Sequence, residues 1–366
     1  MEYMSYKIPL GRPFLGKEEI AAVRKVMESR LIAWGNRVKE FEEMFAKKIG
    51  RKYCVMVNSG TSALWLSMKV LGLRNAVIIP TLTCNAVLNA VLNARLHPIF
   101  ADVDEETHNI DMSSVPEKQL EEADAVIVTH TYGHSADMDT INRYVEEYNL
   151  TLIEDFAQAT GGDFRNKKLG CFGKISITSF YGPKLMTTGY GGAILTDDIE
   201  VYEKCIYMRG DNLNKYYPGL IPMNMRMTDI QAAIGIIQLK KLDKMVEMRR
   251  KIAEKLKELL HDTKLKLPVE KEYAKHTYYK FAIILPENMK KSEFIERMKK
   301  LGITTGKLYD PPLHKTRIAM DILNITLNLP ISEYLATRTV SLPIYPELSE
   351  EDIIRIANCV KFVMDD

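Results

Sequence analysis

The sequence lacks long apolar runs. Apolar residues make up 46% of the chain, but they lie in short segments, whereas a membrane helix needs about 20 of them in a row. The N-terminus, which begins Met1-Glu2-Tyr3-Met4, also lacks the basic stretch, apolar core and small-residue cleavage site of a secretion signal. We therefore expect a cytoplasmic protein with no membrane partner.

Cysteine is scarce, and neither charge sign dominates. The cysteines form no CxxC pair and no zinc-ligand spacing, so we expect neither structural disulfides nor a metal site. The net charge is only +2, and no basic run is interleaved with aromatic residues. A nucleic-acid partner is therefore not expected. The five cysteines are Cys54, Cys84, Cys171, Cys205 and Cys359.

The apolar pattern predicts an α/β fold. Short β-branched runs alternate with segments of helical spacing, and parallel strands joined by helices are the simplest architecture for that order. Ligands in such sheets bind beyond the carboxyl ends of the strands. The predicted strands are Tyr53–Val57, Val77–Pro80, Pro98–Val103, Ala125–His130, Thr151–Glu154, Ile175–Phe180 and Gly192–Thr196, and the helices between them are Thr61–Leu71, Asn85–Ala94 and Met138–Tyr148.

The length of 366 residues exceeds one typical domain. We predict a large α/β domain over residues 13–240 and a smaller C-terminal α+β domain over residues 241–366, with residues 1–12 packing against either. A long amphipathic helix from Thr228 to about Leu260 would join them. The smaller domain would contain a strand at Tyr278–Leu285 and helices at Lys291–Leu301 and Glu350–Met364, the last opened by Ser349.

A polar turn over residues 58–63 follows the first predicted strand and opens a helix. Ser59, Gly60 and Thr61 would present backbone N–H groups and small hydroxyls where an anion could bind. The alternative is an ordinary strand-to-helix turn in which Ser or Thr caps the helix.

Asp155 and Lys184 are the candidate chemical groups. Asp155 ends a nearly apolar strand, where a carboxylate is costly to desolvate without a cation, although it could instead cap the next helix. Lys184 follows the Gly182-Pro183 turn, whereas most lysines are surface solubilisers. A lysine for an imine, an acid for a ring nitrogen and a phosphate seat are together what pyridoxal phosphate requires.

In their order and spacing, these motifs resemble the DegT/DnrJ/EryC1/StrS family of sugar aminotransferases, which are fold-type I pyridoxal-phosphate enzymes. The resemblance implies a large α/β/α domain with a mainly parallel central sheet, a smaller C-terminal α+β domain and a pyridoxal 5'-phosphate cofactor. It covers nearly the whole chain through Pro9–Gly16, Gly35–Val38, Ser59–Leu64, Glu154–Ala159, Ser179–Gly192, Asn224–Thr228, Pro312–His314 and Ser341–Pro343.

The resemblance also implies residue roles. Lys184 would hold the cofactor as a Schiff base and move the proton, Asp155 would keep the ring nitrogen protonated, and Gln158 would contact the ring hydroxyl. Asn224, and with it Arg226, would reach the phosphate from the neighbouring subunit, which implies a homodimer with shared active sites. The other implied contacts are Ser59, Gly60, Thr61 and Ser179 for the phosphate, and Tyr181, Tyr309 and His314 for the substrate.

Two positions depart from the family pattern. Cys84 stands where the family usually has an aromatic residue that stacks on the cofactor, so a smaller, polarizable side chain would contact the ring there. Tyr190 stands where the family often has an acidic residue between glycines. The usual substrate contacts of that loop are therefore not carried over.

The function implied is an aminotransferase that moves an amino group, by family habit from glutamate, to a keto-sugar nucleotide in a ping-pong reaction. Tyr132-Gly133-His134 and Tyr181-Gly182 resemble perosamine-type enzymes, which aminate a 4-keto-6-deoxyhexose for surface-polysaccharide or amino-sugar biosynthesis. One alternative is a deoxysugar dehydratase of the same fold, which typically has histidine at the Lys184 position. Another is a non-catalytic nucleotide-binding protein, which would not need Asp155 and Lys184 together.

Overall fold

The computed structural model describes residues 7–33, 35–324 and 326–365. Its thirteen strands are β1 (Tyr53–Val57), β2 (Ala76–Pro80), β3 (His97–Ala101), β4 (Ala123–Thr129), β5 (Thr151–Asp155), β6 (Asp163–Phe164), β7 (Lys167–Lys168), β8 (Ile175–Ser179), β9 (Gly192–Thr196), β10 (Ala274–Lys275), β11 (Phe281–Ile284), β12 (Gly306–Lys307) and β13 (Thr339–Leu342). The α-helices are α1 (Lys17–Ser29), α2 (Asn36–Ile49), α3 (Gly60–Val70), α4 (Asn85–Asn93), α5 (Glu117–Glu122), α6 (Met138–Glu147), α7 (Ile199–Met208), α8 (Asp229–Leu260), α9 (Lys291–Lys300), α10 (Arg317–Leu323), α11 (Pro330–Arg338) and α12 (Glu350–Asp365). 

The central element is a seven-stranded sheet in the order β1-β9-β8-β5-β4-β2-β3. Strands β8, β5, β4, β2 and β3 pair in parallel, as predicted. Strand β9 runs antiparallel to both of its neighbours, β1 and β8. The reversal arises because β8 and β9 are joined by a loop without a crossover helix, and a parallel pair would require such a crossover.

Helices cover both faces of this sheet. On β1, Cys54 and Met56 pack into one hydrophobic cluster with α2, α6 and α8, while Val55 and Val57 pack into a second cluster with α3, α4 and α7. Burial of both faces explains why the strands read as nearly continuous apolar runs. The predicted α/β/α arrangement with a mainly parallel sheet is confirmed.

A third hydrophobic cluster surrounds the three-stranded antiparallel sheet β11-β13-β12. Helix α8 contributes to two clusters: its residues up to Val246 pack against the large sheet, and those from Ile252 onward pack into the third cluster. Ile8 also lies in the third cluster and bridges to Ile303, whereas residues 1–6 of the predicted N-terminal segment lie outside the described residues. The domain limits at residues 240 and 241 remain a prediction.

The predicted strand at Tyr278–Leu285 is shorter than expected, since β11 begins only at Phe281. Tyr278 has a left-handed backbone with φ of 47°, which no regular strand accommodates. The N–H groups of Thr277 and Lys280 donate to the carbonyl oxygens of Gly133 and Tyr132 instead. This part of the chain therefore belongs to the surroundings of the site described next. Among the described helices, none has the length and apolarity needed to cross a membrane.

Candidate active site

A cavity of about 250 Å³ lies beyond the carboxyl ends of β1, β2, β5 and β8. Because these four strand ends meet at one edge of the sheet, turns that are far apart in sequence line the same cavity. The predicted site residues that line it are Ser59, Gly60, Thr61, Cys84, Asp155, Gln158, Ser179, Tyr181 and Lys184.

The polar turn after β1 forms one end of the cavity. Ser59 caps α3, since its Oγ accepts a hydrogen bond of 3.1 Å from the N–H of Ser62. The N–H groups of Gly60 and Thr61 lie in the first helical turn, where no carbonyl of the helix can accept from them. A Cβ on Gly60 would lie 2.7 Å from the Cβ of Ser179. The capping interpretation is therefore confirmed, whereas the anion seat at these N–H groups remains a prediction.

Asp155 lies at the end of β5 and is 8% exposed. Its Oδ1 accepts a 3.0 Å hydrogen bond from the N–H of Ala157. The alternative that Asp155 caps a following helix is wrong, because residues 157–161 form a turn and not a helix. Burial raises the pKa of Asp155, against the lowering effects of the Ala157 N–H and of the Lys184 charge. A protonated ring nitrogen placed in the cavity would supply the positive partner that this buried carboxylate favours.

Glu154, the neighbour of Asp155, points to the opposite face of the sheet and is fully buried. Its carboxylate accepts hydrogen bonds from the N–H groups of Phe172 (2.7 Å) and Gly173 (3.1 Å) and from Ser176 Oγ (3.1 Å). His130 Nδ1 accepts from a backbone N–H, so Nε2 carries the proton and donates to Glu154 at 3.1 Å. These bonds fix the end of β5 and with it the direction of Asp155. His130 and Glu154 are not among the predicted site residues, although polar side chains in apolar strands are the signal for such a pair.

We expect Glu154→Gln to lower the free energy of unfolding by about 2–3 kcal/mol, because an amide NH₂ would then face N–H donors. Burial alone would raise the pKa of Glu154, but the bonds from His130 and the backbone outweigh it and lower the pKa. A lowered carboxyl pKa gives stability that is present above the ordinary glutamate range and is lost as the pH falls. The difference in unfolding free energy between Glu154→Gln and the wild type should therefore become smaller as the pH falls.

The measurement is urea unfolding at several pH values, with Glu147→Gln as the control. Glu147 is exposed at the end of α6, and its substitution should change stability by less than about 0.5 kcal/mol. Equal stabilities of Glu154→Gln and Glu147→Gln at neutral pH would contradict the account.

Lys184 lies in a folded loop between β8 and β9. Its N–H donates to the carbonyl of Tyr181 at 2.9 Å, and the loop closes through a 3.0 Å bond from Thr188 N–H to the carbonyl of Phe180. The side chain is half-buried, and its Nζ lies 4.9 Å from the ring centroid of Tyr279. Tyr279 was not predicted as a site residue.

Tyr309 lies next to the cavity but not in its wall. Its ring stacks on that of Tyr132 with centroids 5.8 Å apart. Burial raises the pKa of Tyr309, and the neighbouring groups of Tyr279, Tyr132, Cys84 and Asp155 act in the same direction. Its substrate contact remains a prediction.

His314 also lies outside the cavity wall. Its Nδ1 lies 2.6 Å from Thr81 Oγ1, and its Nε2 lies 3.1 Å from a carboxylate oxygen of Glu333. Both ring nitrogens are therefore engaged within the chain. A role for His314 in substrate binding remains a prediction.

Asn224 and Arg226 do not line the cavity of the single chain. Arg226 Nε donates to Asp211 at 2.5 Å, whereas Asn224 is exposed and its side chain forms no hydrogen bond among the described residues. The intervening Met225 accepts a 2.8 Å bond from Asn58 N–H, so this segment runs beside the polar turn. Their assignment to a neighbouring subunit's site remains a prediction.

Both departures from the family pattern lie in the cavity wall. Cys84 is exposed and caps α4, its Sγ accepting from Ala86 N–H at 3.5 Å. Tyr190 is 63% exposed, and its ring centroid lies 5.2 Å from that of Tyr181. Compared with the family pattern, the cavity wall therefore has a smaller side chain at Cys84 and an uncharged side chain in place of an acidic one at Tyr190.

The DegT/DnrJ/EryC1/StrS aminotransferase family model matches residues 13–361. The chain belongs to this family. It is 33% identical over 363 residues to GDP-perosamine synthase of Escherichia coli O157:H7, covering 96% of this chain and 97% of the relative. It is 34% identical over 348 residues to the dTDP-3-amino-3,6-dideoxy-alpha-D-galactopyranose transaminase of Aneurinibacillus thermoaerophilus, covering 94% of each.

The fold also matches a solved structure of Helicobacter pylori PseC, an aminotransferase involved in the biosynthesis of pseudoaminic acid. The TM-score is 0.91 at 26% identity, covering 98% of this chain and 100% of that chain. The predicted family and the predicted enzyme class, a pyridoxal-phosphate-dependent transaminase, are confirmed.

Proposed function

We propose that this DegT/DnrJ/EryC1/StrS family member transfers an amino group from glutamate to the ketone of a nucleotide-linked keto-sugar, with pyridoxal phosphate held on Lys184. The observation that carries the proposal is the composition of one cavity wall. It unites the anion seat at the start of α3, the buried carboxylate of Asp155 and the half-buried Lys184. These are the three groups that the cofactor requires.

Pyridoxal phosphate, when bound, supplies an electron sink that makes the hydrogen on the amino-bearing carbon acidic. The protein supplies binding, orientation and proton transfer. The N–H groups of Gly60 and Thr61 bind the phosphate, and Asp155 keeps a proton on the ring nitrogen. Lys184 Nζ is the covalent anchor and then the group that moves a proton at the reacting carbon.

Gln158 supports the same orientation. Its side-chain oxygen accepts a 3.1 Å hydrogen bond from Tyr132 N–H. The NH₂ group of the same amide is therefore directed away from Tyr132. Gln158 is also part of the cavity wall. Its NH₂ group can donate to the ring hydroxyl of the cofactor.

For the acceptor we propose a 4-keto-6-deoxyhexose nucleotide, as in perosamine formation, for surface-polysaccharide or amino-sugar biosynthesis. The support is the similarity to a GDP-perosamine synthase over nearly the whole chain. The Tyr132-Gly133-His134 motif adds little support for this acceptor, because Tyr132 and His134 are buried and are not part of the cavity wall.

We also propose a homodimer in which each site is shared between two chains. Large apolar side chains are exposed in the stretch of chain that leads up to Asn224, and exposed apolar surface is a feature of protein interfaces. These side chains are Leu213, Tyr216, Ile221 and Met223, which are 61%, 76%, 79% and 52% exposed.

The alternative is the deoxysugar dehydratase, which eliminates a hydroxyl instead of adding an amine. Lysine at position 184 disfavours it, because the dehydratases typically have histidine there. The two reactions also leave different products, since amino transfer replaces the ketone oxygen by an amine and converts glutamate to 2-oxoglutarate.

The test is an assay of the full-length protein with pyridoxal phosphate, glutamate and 4-keto-6-deoxyhexoses linked to GDP, dTDP or UDP. We expect an amino-sugar nucleotide and 2-oxoglutarate in equal amounts from at least one acceptor, and GDP is the first to try. A product that has lost a hydroxyl and gained no nitrogen would replace this proposal with the dehydratase. No turnover of any acceptor by cofactor-loaded protein would overturn both.

A further inference from the structure

The ammonium group of Lys184 faces the ring of Tyr279, with Nζ 4.9 Å from the ring centroid. Tyr279 is 7% exposed and is not one of the residues that line the cavity. Within the described residues, Lys184 forms no salt bridge or hydrogen bond through its side chain. The face of an aromatic ring is negative and attracts a cation at this distance. The ring is thus a direct contact of the Lys184 ammonium, in addition to the longer-range attraction between Lys184 and Asp155.

The backbone that carries the Tyr279 ring is held by hydrogen bonds on both sides of it. Thr277 N–H donates to Gly133 at 2.9 Å, and Lys280 N–H donates to Tyr132 at 3.1 Å. Gly133 permits this approach, because a Cβ there would lie 2.8 Å from the Tyr279 nitrogen and the residue has φ of 107°. The backbone hydrogen bonds on both sides and the burial of the side chain favour one position of the ring.

The buried guanidinium of Arg249 holds the same turn from a second direction. Its Nη1 donates to the carbonyl of Tyr278 at 3.3 Å and to the carbonyl of Ile344 at 2.8 Å. Helix α8 and the strand end after β13 are thereby connected to the backbone beside Tyr279. The backbone that carries the Tyr279 ring cannot move away from Lys184 without loss of these bonds.

A second ammonium shares the ring. The Nζ of Lys280 lies 4.8 Å from the same centroid. Burial lowers the pKa of Lys280, and among its neighbours the charges of Arg249 and Lys184 also lower it. Two like charges in a half-buried region repel each other, and the negative ring face offsets part of that repulsion.

We infer that Tyr279 is a positioning residue for Lys184, whose free ammonium rests on the Tyr279 ring whenever the lysine is not covalently bound. The catalytic consequence of this inference rests on the proposed function, whereas the geometry of Lys184 and Tyr279 does not depend on it. A free lysine side chain has many rotamers, and an aromatic face selects those that keep Nζ at the cavity wall. The amine is then in place both to anchor the cofactor and to move a proton at the reacting carbon.

The direct test uses nuclear magnetic resonance of the full-length protein freed of cofactor, with lysines dimethylated by ¹³C-formaldehyde and borohydride, which keeps their charge. Methyl groups that lie over a ring face resonate upfield of those on exposed lysines. We expect an upfield signal that disappears in Lys184→Arg, which assigns it. The same signal should persist in Tyr279→Phe, which keeps the ring, and move to the exposed-lysine position in Tyr279→Leu.

Two controls accompany this comparison. Lys280→Met should leave the Lys184 signal upfield, because the ring remains. Circular dichroism and thermal unfolding should show that Tyr279→Leu is folded; if it is not, Tyr279→Met serves as the second ring-free variant. A Lys184 signal at the same position in wild type and in a folded ring-free variant would overturn the inference.

The kinetic consequence is measured in the cofactor-loaded enzyme. We expect kcat to fall roughly 3- to 30-fold in Tyr279→Leu and to stay within about twofold in Tyr279→Phe, with the KM of the sugar nucleotide unchanged in both. A merely structural role would affect KM and stability as well as kcat, and Phe would not selectively restore kcat. Equal kcat values for the Leu variant and wild type would contradict the catalytic part of the inference.

Failure of the proposed function can be distinguished from failure of the positioning inference. If borohydride fixes no pyridoxal phosphate on Lys184 of the wild-type protein, the proposed function is wrong, and the resonance experiment still decides whether the ring holds the ammonium. If the cofactor is fixed on Lys184 but the Lys184 signal has the same position with and without the Tyr279 ring, only the positioning inference fails.

Discussion

Lys184→Ala is expected to lower amino transfer at least roughly a thousandfold, because it removes both the covalent anchor and the group that moves the proton. The variant should still fold, since the Lys184 side chain is half-buried and its ammonium forms no salt bridge among the described residues. It should still bind the cofactor, because the phosphate seat and Asp155 are unchanged. Single-turnover measurements with pyridoxamine phosphate and a keto-sugar nucleotide give the rate of the chemical step.

The control for this experiment is Lys174→Ala. Lys174 is exposed at the loop before β8, and its loss should leave kcat within about twofold. A small primary amine added to Lys184→Ala should restore part of the rate, because the space left by the side chain admits a mobile base. Activity of Lys184→Ala within tenfold of wild type would show that another group performs the proton transfer.

Mixing two inactive variants should restore activity if each site is shared between subunits. Lys184→Ala supplies a chain without the anchor. Asn224→Asp places a negative charge where the phosphate of the neighbouring site would lie, and at limiting cofactor this should weaken binding on the order of a hundredfold. In a mixed dimer, the chain that keeps Lys184 meets the intact Asn224 of the other chain, so one site is whole.

Random exchange of equal amounts should make about a quarter of all sites whole. Asn224 is preferred to Arg226 for this purpose, because Arg226 is bonded to Asp211 within its own chain and its loss would disturb the fold. Subunit exchange is verified with differently tagged chains. Demonstrated exchange without recovery would place Lys184 and Asn224 in the same subunit's site.

The fold could be predicted well where burial sets the pattern. Strands such as Tyr53–Val57 and Gly192–Thr196 were predicted with the bounds that the structure has, because both faces of the sheet are covered and the runs are mainly apolar and contain no charged residue. The reversed direction of β9 could not be predicted, since an apolar run carries no information about its direction. The start of β11 was predicted too early, because Tyr278 adopts a left-handed backbone set by contacts with Gly133.

The candidate site was predictable to the extent that its residues follow strand ends. Gly60, Asp155 and Lys184 are far apart in sequence but share one edge of the sheet, and the α/β pattern implies that edge. Tyr279 could not be found in this way, because its place behind Lys184 depends on a long-range contact between two turns. The predicted roles of Asn224 and His314 involve a second subunit and a substrate, and both roles remain predictions.

The most direct test of the central claim is borohydride reduction of the purified protein incubated with pyridoxal phosphate, followed by peptide mass spectrometry. The account predicts a phosphopyridoxyl adduct on the peptide that contains Lys184, absent from Lys184→Ala and present in Lys174→Ala. An adduct on a different lysine of the active wild-type enzyme, or full activity in protein with no adduct, would contradict it.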